Sequence, residues 1–145
     1  MLNINIFCGF KLKNKVLKNY ETDFLKRFKS DFNLNIVELP FNNKQAVELI
    51  NTQHSEVLSQ KLSSNSLKFL CAEQGKHLNS MEFSKLIFPD LMLHNTIEFI
   101  IGGPYGLEPK AFNGIDHTIA LSKLTFTAEI SRLILLEQLF RSLQI

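Results

Sequence analysis

Apolar side chains along this chain switch between a two-residue and a three-to-four-residue period, and the switches mark alternating strands and helices. Residues 2–8, Leu-Asn-Ile-Asn-Ile-Phe-Cys, alternate and then meet Gly9, which predicts a first strand ending in a turn. Over 13–29, Val16, Leu17, Tyr20, Phe24, Leu25 and Phe28 recur at helical spacing with Lys and Glu between them. A second strand over 34–39 is closed by Pro40, and Asn42-Asn43 open a helix that runs through Val47, Ile50, Val57, Leu58 and Leu62. After the small polar connection Ser63-Ser64-Asn65, residues 67–71 predict a third strand and 72–76, Ala-Glu-Gln-Gly-Lys, a loop at its end. Ser80 is placed to cap a short helix through Phe83, Leu86 and Ile87 that stops at Pro89. The β-branched run Thr96–Ile101 is a fourth strand that breaks off in Gly102-Gly103-Pro104-Tyr105-Gly106. One helical turn over 110–113 and a short fifth strand over 118–121 follow. Finally, 127–145 is a helix whose apolar residues, Ile130, Leu133 to Leu136, Leu139, Phe140 and Leu143, cover almost its whole circumference.

Strand and helix alternating in this way predict an α/β fold: a mainly parallel sheet flanked by helices on both faces. With 145 residues, 45% hydrophobic and 21% charged, the chain has the size and composition of a single domain over 1–145. Neither an internal repeat nor a low-complexity stretch divides it. The net charge of +2 is nearly balanced, so a nucleic-acid partner would need a local basic patch. Cys8 and Cys71 both sit in apolar runs, the pattern of buried reduced thiols in a cytosolic setting. The N-terminus lacks a signal-peptide pattern, and no window approaches 18 uninterrupted apolar residues, so neither export nor membrane insertion is expected.

Candidate chemistry begins at the glycine turn after the fourth strand. Gly102 and Gly103 can take positive φ and let another molecule come close, while Pro104 stiffens the turn. Strand ends of open α/β sheets are where ligands bind, although the same motif would also serve as a tight connection. Lys11, Lys13, Lys15 and Lys18 cluster around the start of the first helix, as a phosphate groove or as a solvated face. In the last helix Glu137 and Arg141 are spaced to pair. Arg132 either pairs with Glu129, three residues before it, or points toward an anionic ligand. One small domain can hardly bury such a helix on every side, which predicts a subunit interface. His54, His77, His94 and His117 are scattered and read as surface or packing residues, with His77 on a loop. No metal-ligand spacing or nucleophile–base set is present.

Three motifs in order carry a family resemblance: Ile-Gly-Gly-Pro-x-Gly-Leu, Leu-Ser-x-Leu-Thr-Phe and Arg-Leu-x-Leu-Leu-Glu-Gln-Leu-Phe-Arg. Together they resemble the bacterial 23S ribosomal RNA pseudouridine N3-methyltransferases, small members of the SPOUT or α/β-knot class. Upstream, the turn from Gly9 to Lys13, Phe24-Leu-Lys-Arg-Phe28, Val37-Glu-Leu-Pro40 and Gly75-Lys76 are collinear with the same family, so the likeness spans the chain. It implies a SPOUT-like sheet with a C-terminal trefoil knot, a homodimer built on the last helix, and S-adenosyl-L-methionine as cofactor. Carried over by position, the cofactor pocket falls on Cys71, Gly103, Ser122, Lys123, Leu124, Thr125, Phe126 and Thr127. Arg132, Lys11 and Lys13 would face the substrate, 23S rRNA within the ribosome.

The chain also departs from this pattern. The family loop continues after Thr-Phe with Pro-His, where this chain has Thr127-Ala128, and Phe140 stands where tyrosine is usual. Family members extend past the last helix into a tail with Tyr-His and a basic residue, whereas this sequence stops at Ile145. No catalytic residue is therefore assigned. The resemblance implies a cytoplasmic, S-adenosylmethionine-dependent rRNA base methyltransferase, the alternative being a non-catalytic homologue that keeps the fold, the dimer and cofactor or ribosome binding.

Overall fold

The alternating N-terminal residues form strand β1 (Asn3–Cys8), with Ile4, Ile6 and Cys8 on one face of the sheet and Phe7 on the other. This computed structural model describes residues 2–27, 32–40, 56–88, 95–103, 107, 112, 114–142 and 144. Helix α1 (Lys15–Arg27) follows, opened by Asn14, whose Oδ1 accepts from the Val16 and Leu17 amides, and then β2 (Asn33–Glu38). Helical residues 56–61 (α2) end the helix expected from Asn42; residues 41–55 lie outside those described. Strand β3 (Leu67–His77), helix α3 (Ser80–Ile87), β4 (Thr96–Ile101), β5 (His117–Ala120) and helix α4 (Ala128–Ser142) complete the order. The helical turn expected over 110–113, apart from Phe112, also lies outside the described residues.

The five strands lie in the order β2-β1-β4-β3-β5, and every neighbouring pair is parallel. Chain-adjacent strands β3 and β4 pair directly, while β1 lies between β2 and β4, so the carboxyl ends of β1, β3, β4 and β5 share one edge of the sheet. On one face Ile4, Ile6, Phe69, Phe99 and Ile101 pack with residues of α1, α3 and α4, such as Phe24, Phe83 and Leu136. On the other, Phe7, Leu70 and Ile100 pack with Leu58 of α2 and with Phe112. A polar row crosses this second face: the Asn35 amide donates to Asn5 Oδ1 at 3.2 Å, and Asn5 Nδ2 to Glu98 Oε2 at 3.4 Å. A one-residue slip would move these groups to the opposite, apolar face, so the row helps hold the register.

Several expectations are corrected here. Residues 72–76 are not a terminal loop: β3 continues to His77, and both Cys71 and Lys76 register with Ile119 of β5 across an irregularity. His77 accordingly ends a strand. Gly75 makes the return possible, since a Cβ there would lie 2.5 Å from the Ile119 carbonyl carbon. The cap of α3 is Asn79, one residue earlier than expected, because its Oδ1 accepts from Glu82 N while Glu82 Oε1 accepts from Asn79 N, a reciprocal capping box. Helix α4, expected to be apolar all round, buries Leu133, Leu135, Leu136 and Leu139 against its own chain and leaves Ile130 and Arg141 exposed. Glu137 and Arg141 do not pair; among the described residues the ion pairs are those of Arg132.

Candidate functional site

The shared carboxyl edge of β1, β3, β4 and β5 opens into a cleft of about 900 Å³. That is within the roughly 300–1,000 Å³ typical of small-molecule sites. Each wall comes from a segment that leaves a strand. Gly9 ends β1, and its amide donates to the Ile101 carbonyl at 2.9 Å, which keeps the turn after β1 beside the turn after β4. Gly103 follows β4, and a Cβ at that position would sit 2.6 Å from the Gly9 carbonyl oxygen. Glycine is needed there for close approach. Positive φ, the expected reason, is found among the described residues at Gly114 and not at Gly102 or Gly103. Residues 104–106 of the turn lie outside the described set.

The wall after β5 is the loop 121–127. Ser122 Oγ accepts from the Leu124 amide at 3.0 Å, a local turn that shapes the loop, and Thr127 Oγ1 accepts from Ile130 N at 3.4 Å at the start of α4. Thr125 and Thr127 are exposed, and Phe126 is half-buried. The β3 wall carries Cys71, whose thiol burial pushes up to about 12, with the nearby Cys8 adding to the shift. The thiol is therefore a neutral packing group at physiological pH.

Nine of the residues expected at the site meet in this cleft: Cys71, Gly103, Ser122, Leu124, Thr125, Phe126 and Thr127 from the cofactor set, with Lys11 and Lys13 from the substrate set. Lys123 lies in the same loop but is exposed and does not line the cleft. Arg132 is also absent from the lining. It is buried, and Glu129, the expected local partner, does not hold it. Its Nε and Nη2 donate to Glu21 of α1 at 2.7 and 2.6 Å, and Nη1 to Glu38 of β2 at 2.7 Å. Burial disfavours the guanidinium charge, but these two carboxylates reverse that effect and hold Arg132 more firmly protonated than usual. Burial likewise pushes the Glu38 carboxyl up, yet the hydrogen bond from the Leu12 amide and Arg132 beside it bring it below the ordinary glutamate range. Cys8 is beside this ion cluster, its thiol raised to about 12 by burial, with Arg132 pulling the other way.

Sequence reasoning missed Phe10, Glu73, Gln74, Glu129 and Ser131, which also line the cleft. Glu73 and Gln74 could have been found as the ends of the β3 junction, and Phe10 as the residue after the β1 glycine. Glu129 carries no such signal, being three residues from an arginine it does not bind. One of its oxygens, Oε2, is buried and has no hydrogen-bond partner among the described residues. Neither described histidine is in the cleft: His77 pairs with Ala120 in the sheet, and His117 stacks on Phe69 with ring centroids 5.1 Å apart. The cleft is thus a pocket walled by the turns that leave four strand ends, with a basic turn on one side, suited to holding a nucleoside and to meeting phosphate.

Comparison with known proteins agrees in extent. The family model described as "Predicted SPOUT methyltransferase" matches residues 2–145. A Fusobacterium nucleatum protein named ribosomal RNA large subunit methyltransferase H is 37% identical over 144 residues, covering 97% of this chain and 92% of that protein. Proteins of the same name from Thermotoga neapolitana and Dictyoglomus thermophilum are 34% and 32% identical, each covering 99% of this chain and 95% of its own length.

Proposed function

Because the chain belongs to the SPOUT methyltransferase family, we propose that it methylates N3 of a pseudouridine in 23S rRNA with S-adenosyl-L-methionine as the methyl donor. The observation that carries this reading is the convergence of three separate segments, Cys71, Gly103 and the loop from Ser122 to Thr127 apart from Lys123, on one cleft that Lys11 and Lys13 also line. The cleft fits the cofactor on its own terms. Its volume is adequate, and the turns after β1 and β4 that wall it approach so closely that a Cβ at Gly103 would strike the Gly9 carbonyl oxygen. When bound, S-adenosylmethionine would supply an electrophilic methyl group to N3 of the base, the N3 proton passing to solvent and the sulfonium leaving as the neutral thioether.

The protein's part is positioning. The 121–127 loop and the ends of β3 and β4 offer backbone donors and acceptors to an adenine edge. Lys11 and Lys13 meet the RNA backbone and hold the target base toward the cleft, so that reacting atoms are brought together rather than activated by strong side-chain chemistry. A knotted path between β4 and α4 and a homodimer built on α4 belong to the same proposal. Support for the dimer is the exposure of Ile130 on α4, of Leu124 in the loop before it, and of Val16 and Tyr20 on α1. The work is done in the cytoplasm, where ribosomes mature.

A second reading, a homologue that binds without methylating, draws on Ala128, where the family loop has histidine. Mass spectrometry of large-subunit RNA from cells with and without this gene separates the two. The enzyme reading expects a methyl mark on pseudouridine that disappears on deletion. An unchanged mark favours the binder.

A further inference from the structure

The ion cluster around Arg132 lies behind the cleft, and one of its members reaches the basic turn. Leu12 is buried between two exposed lysines, so it acts as the anchor from which Lys11 and Lys13 project. Its amide donates to Glu38 Oε2 at 2.7 Å, and the same oxygen accepts from Arg132 Nη1 at 2.7 Å. Arg132 is bound in turn to Glu21, and its guanidinium carbon lies 5.9 Å from the centre of the Phe10 ring. Phe10, Lys11 and Lys13 line the cleft; Glu38 does not. A carboxylate that bridges a backbone amide and a buried arginine makes short, charge-assisted bonds that a mobile turn would lack.

We propose that Glu38 is a positioning residue for the RNA substrate, holding the Lys11–Lys13 turn against helix α4 so that both ammonium groups are presented at the cleft. The proposal rests on the methyltransferase reading above. A turn held in place before binding loses less freedom when phosphates arrive, and the benefit appears in RNA affinity and not in the methyl-transfer step. Cofactor affinity is untouched, since Glu38 is not part of the cleft wall.

The test uses full-length protein and ribosomes purified from cells lacking this gene, with kcat, KM for ribosomes, the salt dependence of KM and calorimetric S-adenosylmethionine affinity as readouts. Glu38→Ala should raise KM about fivefold, with kcat and cofactor affinity held within about twofold, and should flatten the salt dependence as K11Q/K13Q does, by roughly 0.7 per lost phosphate contact on single strands. In the K11Q/K13Q background Glu38→Ala should add less than about twofold, because the lysines through which it acts are gone. Glu38→Gln, which keeps an acceptor for the Leu12 amide, should restore most of KM. If Glu38→Ala does not fold, Glu38→Asp takes its place, with the carboxylate withdrawn by one methylene and the same outcomes expected. Additive effects with the lysine variants, an unchanged KM, or cofactor affinity that falls together with KM would each overturn the proposal. A wild type that neither binds nor methylates these ribosomes defeats the function reading instead, and is visible before any variant is made.

Discussion

Arg132 shows how far local spacing reaches. Sequence neighbours offer it Glu129 or a ligand, yet its partners are 111 and 94 residues away in the chain, on α1 and β2. Such partners have no signal in spacing, because only the fold brings them together. Removing the guanidinium leaves buried Glu21 without its counter-charge, so Arg132→Met should cost about 3–5 kcal/mol in denaturant unfolding. Glu21→Gln added to Arg132→Met should recover part of that loss, since the uncompensated charge is then gone. Glu38 adds a pH dependence with a definite sign. Its folded-state pKa lies below the ordinary 4.5, so its contribution to stability is present above that value and is lost as pH falls below it. Acid titration of unfolding should therefore be shallower in Glu38→Gln than in wild type. Close approach, and not positive φ, is what requires glycine at 103: the Gly9 oxygen, 2.6 Å from where a Cβ would stand, makes even Gly103→Ala expensive. S-adenosylmethionine affinity in that variant should fall at least about tenfold by calorimetry, one bad backbone contact being worth more than about 1.4 kcal/mol.

At the level of elements, strands are the most legible. Period-two alternation and β-branched runs locate β1, β2, β4 and β5 to within a residue or so, because each buries one or both faces in a parallel sheet. Strand β3 reads as ending at Cys71, since Glu73, Gln74 and Gly75 look like a turn. What extends it is tertiary: β5 supplies a partner for Lys76 and His77, and Gly75 lets the two backbones close. Gly75→Ala should accordingly lower the melting temperature and increase amide exchange at Lys76 and His77, while leaving the β1–β4 ladder protected. The N-cap of α3 is ambiguous by one residue because Ser80 and Asn79 are both good caps, and the choice falls to the residue three positions before Glu82. Asn79→Ala should cost about 1 kcal/mol, more than Ser80→Ala.

Across the whole molecule, the alternation of strand and helix is enough for a parallel α/β sheet, but not for its strand order or its cleft. The order β2-β1-β4-β3-β5 is what brings four strand ends together, and no spacing in the sequence indicates it. The cleft is legible only through likeness to a family: Cys71, Gly103 and, apart from Lys123, the loop from Ser122 to Thr127 are ordinary residues singly and line one cleft only because the fold places them side by side. Lys123 marks the limit of carrying a loop over whole: it is exposed and outside the lining, although Ser122 and Leu124 on either side of it line the cleft. The central claim, that this strand-end cleft holds the methyl donor for an rRNA base, is tested most directly by methyl transfer in vitro. Purified protein, S-adenosylmethionine with a labelled methyl group, and ribosomes from cells lacking this gene should yield about one labelled pseudouridine per large-subunit RNA, a stoichiometry set by a single positioned base. Gly103→Ala, folded and still able to bind ribosomes, should lose that label. An unlabelled RNA with wild-type protein, or full labelling with Gly103→Ala, would contradict the account.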